Sequence, residues 1–282
     1  MGSVRVPLSI RVLPPIAERV WFTPPRPSDR TRAKDARALE SVEPISVTVE
    51  GRPRPGFVTG EGPLMILAHG WGGRAAQMLD LALAAARNGY RAVAIDSPGH
   101  NTDDKRTSDG FQMAAGLRSV EASFGPPAGV IAHSLGVMAT VMAFSDRPPD
   151  TAIWLAPVLD VRDSLQLFSR RAKLAPWTAR SLRRRVERFI GEWWPALTAG
   201  SETDLPGSKL LLVHDPADPD ADFDLSAAMA DSRPNTRLVE APGTSHNLLL
   251  RDPRVIDAVE RFLIPARHPT RHGSASLARP RR

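Results

Sequence analysis

From residue 64 onward the chain alternates short apolar runs with longer amphipathic stretches. Leu64–Ala68, Arg91–Ile95, Gly129–Ile131, Thr151–Leu155 and Lys209–Val213 are too short for stable helices. Their near-continuous apolar character is that of strands covered on both faces. Between them, Arg74 to Asn88 is alanine-rich and closed by Gly89, and helical patterns run from about Asp109 to Phe124 and from Ser134 to about Ser145. A further helix is expected near Asp222 to Asp231, a strand at Thr236–Glu240, and a closing helix from Pro253 to about Ile264. Strand and helix in alternation argue for an α/β, doubly wound, mostly parallel sheet.

Two regions break this rhythm. Residues 1–60 are rich in proline, and only Ile45–Val49 alternates as a half-buried strand does, with Gly56–Gly60 a possible antiparallel partner. Pro24 to Asp29 reads as a linker and Thr31 to Glu40 as a short helix. In residues 158–207 two helical patterns interrupt the alternation. Leu182, Val186, Phe189, Ile190 and Trp193 fall on one helix face, with Arg183, Arg184 and Arg188 on the other. The expected organisation is an N-terminal extension (1–60), a core (61–157 and 208–265), a helical insertion (158–207) and a basic, disordered tail (266–282).

Composition narrows the class. The chain has 282 residues and no cysteine, which removes disulfides, thiolate chemistry and cysteine metal sites. No run approaches the roughly 18 apolar residues of a membrane span. The first residues lack the apolar core of a signal peptide, so a cytoplasmic location is expected. Of the net charge of +6, the five arginines of residues 266–282 supply +5 without any acid, leaving +1 for the rest. The basicity therefore belongs to the tail, and no nucleic-acid partner is expected.

The chemistry gathers at strand ends. Ala132-His133-Ser134-Leu135-Gly136 follows one apolar run and opens a helix, the setting of a sharp strand-turn-helix that lifts a serine hydroxyl above a sheet. His69-Gly70-Trp71-Gly72-Gly73 follows Leu64–Ala68, His214-Asp215-Pro216-Ala217-Asp218 follows Lys209–Val213, and Gly243-Thr244-Ser245-His246 follows the last strand. A serine hydroxyl needs a base within hydrogen-bond reach. Among the histidines beyond the candidate acids, His268 and His272 lie in the tail, which selects His246. Asp215 and Asp218 both stand at a position suited to the acid.

In this order of motifs the chain resembles the α/β-hydrolase superfamily, over roughly residues 60–265. The resemblance implies Ser134 as nucleophile, His246 as base and Asp218, in preference to Asp215, as the acid that orients the imidazole. It also implies an oxyanion hole from the backbone N–H groups of Trp71 and Leu135, and a helical cap formed by the insertion. His69, Gly70, His133, Trp177 and Trp193 are candidates for the substrate pocket, and no metal or cofactor is expected. Asp96-Ser97-Pro98-Gly99-His100 matches a structural turn of the family but departs at Asn101 and Asp103, where glycine and serine are usual. Asn tolerates a left-handed backbone. Ser97 is a poor nucleophile because proline follows it and offers no N–H.

The expected activity is cleavage of a small-molecule carboxylic ester or thioester through an acyl-serine intermediate. Acyl transfer to another acceptor, peptidase activity, or a ligand-binding relative without turnover are the alternatives on the same scaffold.

Overall fold

The computed structural model describes residues 13–101 and 107–264. The tail and Asp103 lie outside the described residues. Eight strands form one sheet in the order β1-β2-β4-β3-β5-β6-β7-β8. They are β1 (Glu43–Val49), β2 (Arg52–Thr59), β3 (Leu64–Ala68), β4 (Arg91–Ile95), β5 (Pro127–His133), β6 (Thr151–Leu155), β7 (Lys209–His214) and β8 (Thr236–Glu240). From β4 across to β8 all neighbours run parallel, whereas β1 pairs antiparallel with β2 and β2 antiparallel with β4. The expected hairpin therefore exists, and of its two strands β1 alone lies at an edge of the sheet.

Period-two alternation divides the central strands between two cores. Ile66, Val130, Ala152, Trp154 and Leu212 face one side, and Met65, Leu67, Ile131, Ile153 and Leu211 the other. The second side is covered by α3 (Leu79–Arg87) and α10 (Pro253–Leu263), which pack on each other. The first is covered by the packed pair α4 (Gly110–Phe124) and α5 (Leu135–Phe144), with α8 (Phe223–Ser232) against β7 and β8. A short α9 (Ser245–Leu248) follows β8.

The insertion folds as α6 (Val161–Arg171) and α7 (Pro176–Ile190), followed by short 3-10 turns. Leu182, Val186 and Ile190 are buried as the periodicity implies. Phe189, on the same face, remains 46% exposed.

One element is absent from the sequence reading. Pro14–Trp21 forms α1, with proline in its first turn, where the missing N–H costs nothing. It packs against α7, and Glu18 pairs with Arg185. Only Ala17 of this helix is buried, so its periodicity is too shallow to stand out from the proline-rich surroundings. Next comes α2 (Asp29–Leu39), capped by the Ser28 hydroxyl, which accepts from the Thr31 amide.

Candidate active site

The turn between β5 and α5 holds Ser134 at φ 53° and ψ −125°, a region that side chains rarely occupy. Its surroundings enforce that geometry. The Ser134 N–H donates to the Leu155 carbonyl at 3.0 Å, and the Val158 N–H donates back to the Ser134 carbonyl at 3.3 Å. Gly136 is required on the far side. A Cβ there would lie 2.6 Å from the His69 oxygen and 2.7 Å from the Ala68 oxygen, so only glycine lets α5 start against the end of β3.

A chain of hydrogen bonds then leaves the serine. Its Oγ lies 2.8 Å from His246 Nε2, and His246 Nδ1 lies 2.7 Å from Asp218 Oδ2. Asp218 Oδ1 accepts from the Asp220 and Ala221 amides at 2.8 and 3.3 Å. His214, fully buried, points Nε2 at the same Asp218 Oδ2 from 3.4 Å while its Nδ1 meets the Ser226 hydroxyl at 2.8 Å. Burial by itself would raise the Asp218 carboxyl, but His214, His246 and the backbone donors outweigh it and hold the group well below the usual carboxylate range.

The two candidate acids are thereby separated. The Asp215 carboxylate accepts the Ala217 amide at 3.0 Å and the Ser245 amide at 2.7 Å. These backbone donors lower its pKa and tie the acid-bearing loop to the turn that carries His246. The imidazole itself meets Asp218. Asp218, Asp220 and His246 bring one ligand-type atom each within 4.8 Å of one another. Asp218 and His246 use theirs on each other, and Asp220 pairs with Arg171 at 2.5 Å.

Opposite the serine, the loop after β3 passes so close that a Cβ on Gly70 would lie 2.8 Å from Ser134 Cβ. Among the described residues the amides of Trp71 and Leu135, the predicted oxyanion donors, have no hydrogen-bond partner. Both residues line the same cavity as Ser134. The Trp71 ring stands edge-on to His100, with centroids 5.1 Å apart.

Three pocket candidates are corrected by the structure. His69 is fully buried beneath the loop, its Nδ1 2.8 Å from the Gly70 carbonyl and its Nε2 accepting the Ser97 amide at 3.0 Å. Burial, with His100 nearby, pushes it down to about 3, so it is a neutral brace. Trp177 is 45% exposed, and neither it nor Trp193 reaches the cavity wall. Trp177 lies on the outward part of α7 and Trp193 packs against the hydrophobic core, while the cavity-facing positions are taken by Val186, Phe189 and Ile190. Gly70 and His133 do line the cavity. His133 Nε2 reaches the His246 carbonyl at 2.7 Å, and burial lowers this ring to about 3.

The Asp96 turn is held by side-chain hydrogen bonds. Asp96 accepts from the Ala75 amide and from Asn101 Nδ2, both at 2.7 Å. Asn101, with φ 46°, supplies the left-handed residue and a side-chain donor together.

The cavity, about 700 Å³, is mostly apolar. Leu135, Met138 and Met142 of α5 form one wall, and Val161, Leu167 and Phe168 of the insertion form another. The remaining wall was not foreseen. Val20, Trp21, Phe22, Thr23 and Pro25 of the N-terminal arm close it. Trp21 sits edge-on to Phe168 with centroids 5.4 Å apart, and Phe22 lies 4.9 Å from Phe189. The apolar spacing after Ser134 carried a signal for the α5 wall, but the arm had none, since the ring contacts that seat it are to residues distant in sequence.

A doubly wound sheet with a strained serine at a strand-helix turn, bonded to a histidine and an acid from later strand ends, defines an α/β-type hydrolase. The family description "Alpha/beta hydrolase family" matches residues 65–259, and the chain belongs to that family. No curated protein matches the sequence. Among solved structures, a bacterial membrane phospholipase A superposes with a TM-score of 0.63 at 15% identity, covering 84% of this chain and 91% of that one. Est1E from Butyrivibrio proteoclasticus gives a TM-score of 0.55 at 17% identity, with 79% and 98% covered. The Pyrococcus furiosus esterase Pf2001 gives 0.57 at 17%, with 86% and 95% covered. At such identities the likeness is one of fold.

Proposed function

We propose that the protein is a serine hydrolase that cleaves carboxylic esters or thioesters through an acyl-serine intermediate. The observation that carries the reading is the continuous hydrogen-bonded chain Ser134–His246–Asp218 at the wall of an apolar cavity. His246 Nε2 takes the Ser134 proton as Oγ attacks the acyl carbon, and the negative oxygen that develops faces the free Trp71 and Leu135 amides. Collapse of the tetrahedral intermediate expels the alcohol or thiol, which His246 protonates. Water, deprotonated by the same imidazole, then releases the acid and restores Ser134.

Asp218 stays ionised throughout. It holds the imidazole with Nδ1–H toward itself and stabilises the imidazolium that forms in each half-reaction. The insertion acts as a cap that keeps water from the acyl group. The substrate is a small molecule, and among the described residues no helix is long and apolar enough to cross a membrane.

Hydrolysis of p-nitrophenyl esters by the wild type and Ser134→Ala tests the reading. Turnover is expected to fall by about 10⁴-fold or more in the variant, and a phosphonate probe to label Ser134. Absence of both turnover and labelling in the wild type would overturn it in favour of a ligand-binding role.

A further inference from the structure

The cavity has a direction. Ser134, Leu135, Met138 and Met142 all line it, and their spacing places them along one face of α5, so the cavity follows that helix away from the serine. Beside Met142, the lining residue farthest along α5 from Ser134, the wall is completed by Gly110, the first residue of α4. A Cβ built on Gly110 would stand 3.3 Å from Met142 Sδ and, its own chain neighbours and helix backbone apart, would meet no other atom within 4 Å. Phe111 and Phe189, with ring centroids 5.7 Å apart, close the side.

The depth follows from helix geometry. Eight residues of α5 cover about 12 Å. A long helical side chain leans back over the preceding turn, which removes up to about 5 Å and leaves roughly 7–12 Å. An extended chain advances about 3.6 Å in three bonds, so this depth holds about six to ten bonds. The two ends of an ester are also distinguishable. The leaving oxygen must lie beside His246, where Asp220, Arg171 and Asn247 make the wall polar, whereas Leu135, Met138, Met142 and Phe111 make the α5 arm largely apolar, its one carboxylate, Asp109, accepting the Gln112 amide at 2.9 Å.

We infer that this arm is a gauge of acyl-chain length, with Met142 and Gly110 as its floor, selecting esters or thioesters of unbranched acids of about six to ten carbons. The inference rests on the serine-hydrolase reading and deepens it. The carbonyl sits at Ser134, and the terminal methyl rests on Met142. Gly110 can accept a side chain, because its backbone lies outside the left-handed region and a new Cβ meets only a flexible thioether.

The test is kcat/KM along a p-nitrophenyl ester series from acetate to tetradecanoate, for wild type, Gly110→Val and Met142→Ala, each normalised to Ser134 titrated with a short phosphonate. The wild-type optimum is expected between hexanoate and decanoate. Valine at 110 moves it at least two carbons shorter, and alanine at 142 moves it longer. Burying one methylene is worth about fourfold, so two carbons change the decanoate-to-butyrate ratio about fifteenfold. Turnover with an optimum at acetate, or with the same profile in all three proteins, overturns the gauge alone. No turnover and no phosphonate labelling in the wild type overturns the hydrolase reading and the gauge with it.

Discussion

The sheet with its strand-end loops and the arm-plus-insertion that faces it share one cavity but hold it by different forces. Every residue of β3 is buried, and the serine, histidine and acid stand on loops locked by backbone hydrogen bonds and by the buried side chains of His69, His133 and Asp215. The arm is attached by aromatic edges, by Glu18 with Arg185, and by one buried residue of α1. The proposed reactivity thus rests on a dense, directional network, and pocket shape on a few apolar contacts near the surface. Substitutions on the two sides should therefore fail differently, in kcat on one and in KM on the other.

The sharpest division lies within one loop. Asp218→Asn removes the charge beside the imidazole and is expected to lower kcat by roughly 10³–10⁴-fold with little loss of folding. Asp215→Asn, which weakens only the clasp on Ser245 and Ala217, should cost about 1–3 kcal/mol of stability and far less activity. A urea titration beside steady-state kinetics separates them, and equal loss of kcat in both would reverse the assignment.

Gly70→Val comes next. Its Cβ would press on Ser134 Cβ and on the His133 ring, displacing the Trp71 amide. The expectation is a fall of about 10²–10³-fold in kcat while the helical content by circular dichroism is kept.

Acidity probes the same network through stability. Folded His69 and His133 are held down to about 3 and His100 to about 4, against 6.5 when exposed, mainly by burial. Below pH 6.5 the unfolded chain takes up protons that the folded chain refuses, so stability is lost as pH falls through the window from 6.5 to about 3–4. Each histidine contributes up to about 1.4 kcal/mol per pH unit there. Asp96, whose carboxyl is raised by burial, opposes the trend. The urea midpoint should decline steadily from pH 7 to 5, and a flat profile would refute the neutral braces.

The smallest effects belong to the arm. Glu18→Gln breaks a half-exposed ion pair and should cost less than about 1 kcal/mol. Trp21→Ala opens the wall and should raise KM for the longer esters by about tenfold while kcat on acetate moves little. A collapse of kcat in Trp21→Ala would mean that the arm positions the reacting groups as well.

Much of this protein is written in local patterns. Runs such as Leu64–Ala68 and Lys209–Val213 announce buried strands because a strand covered on both faces has no polar positions to spare. Small residues around Ser134 announce a sharp turn because only they clear the neighbouring backbone. Those features are short-range, and the order of four strand-end motifs followed from them. The sequence could not say that His69 braces the loop from below, that Trp177 faces outward, or that Pro14–Trp21 is a helix. Each of those depends on which distant segment lies alongside: Ser97 for His69, the cavity-facing side of α7 for Trp177, and α7 itself for α1. By itself the sequence determined the sheet, the strand ends and the residue types of the candidate site, because backbone pairing and steric allowance repeat along the chain. Only tertiary structure placed the His246 ring on Asp218 and supplied the N-terminal wall of the cavity, because an imidazole's partner and a pocket's shape are set by approach in space.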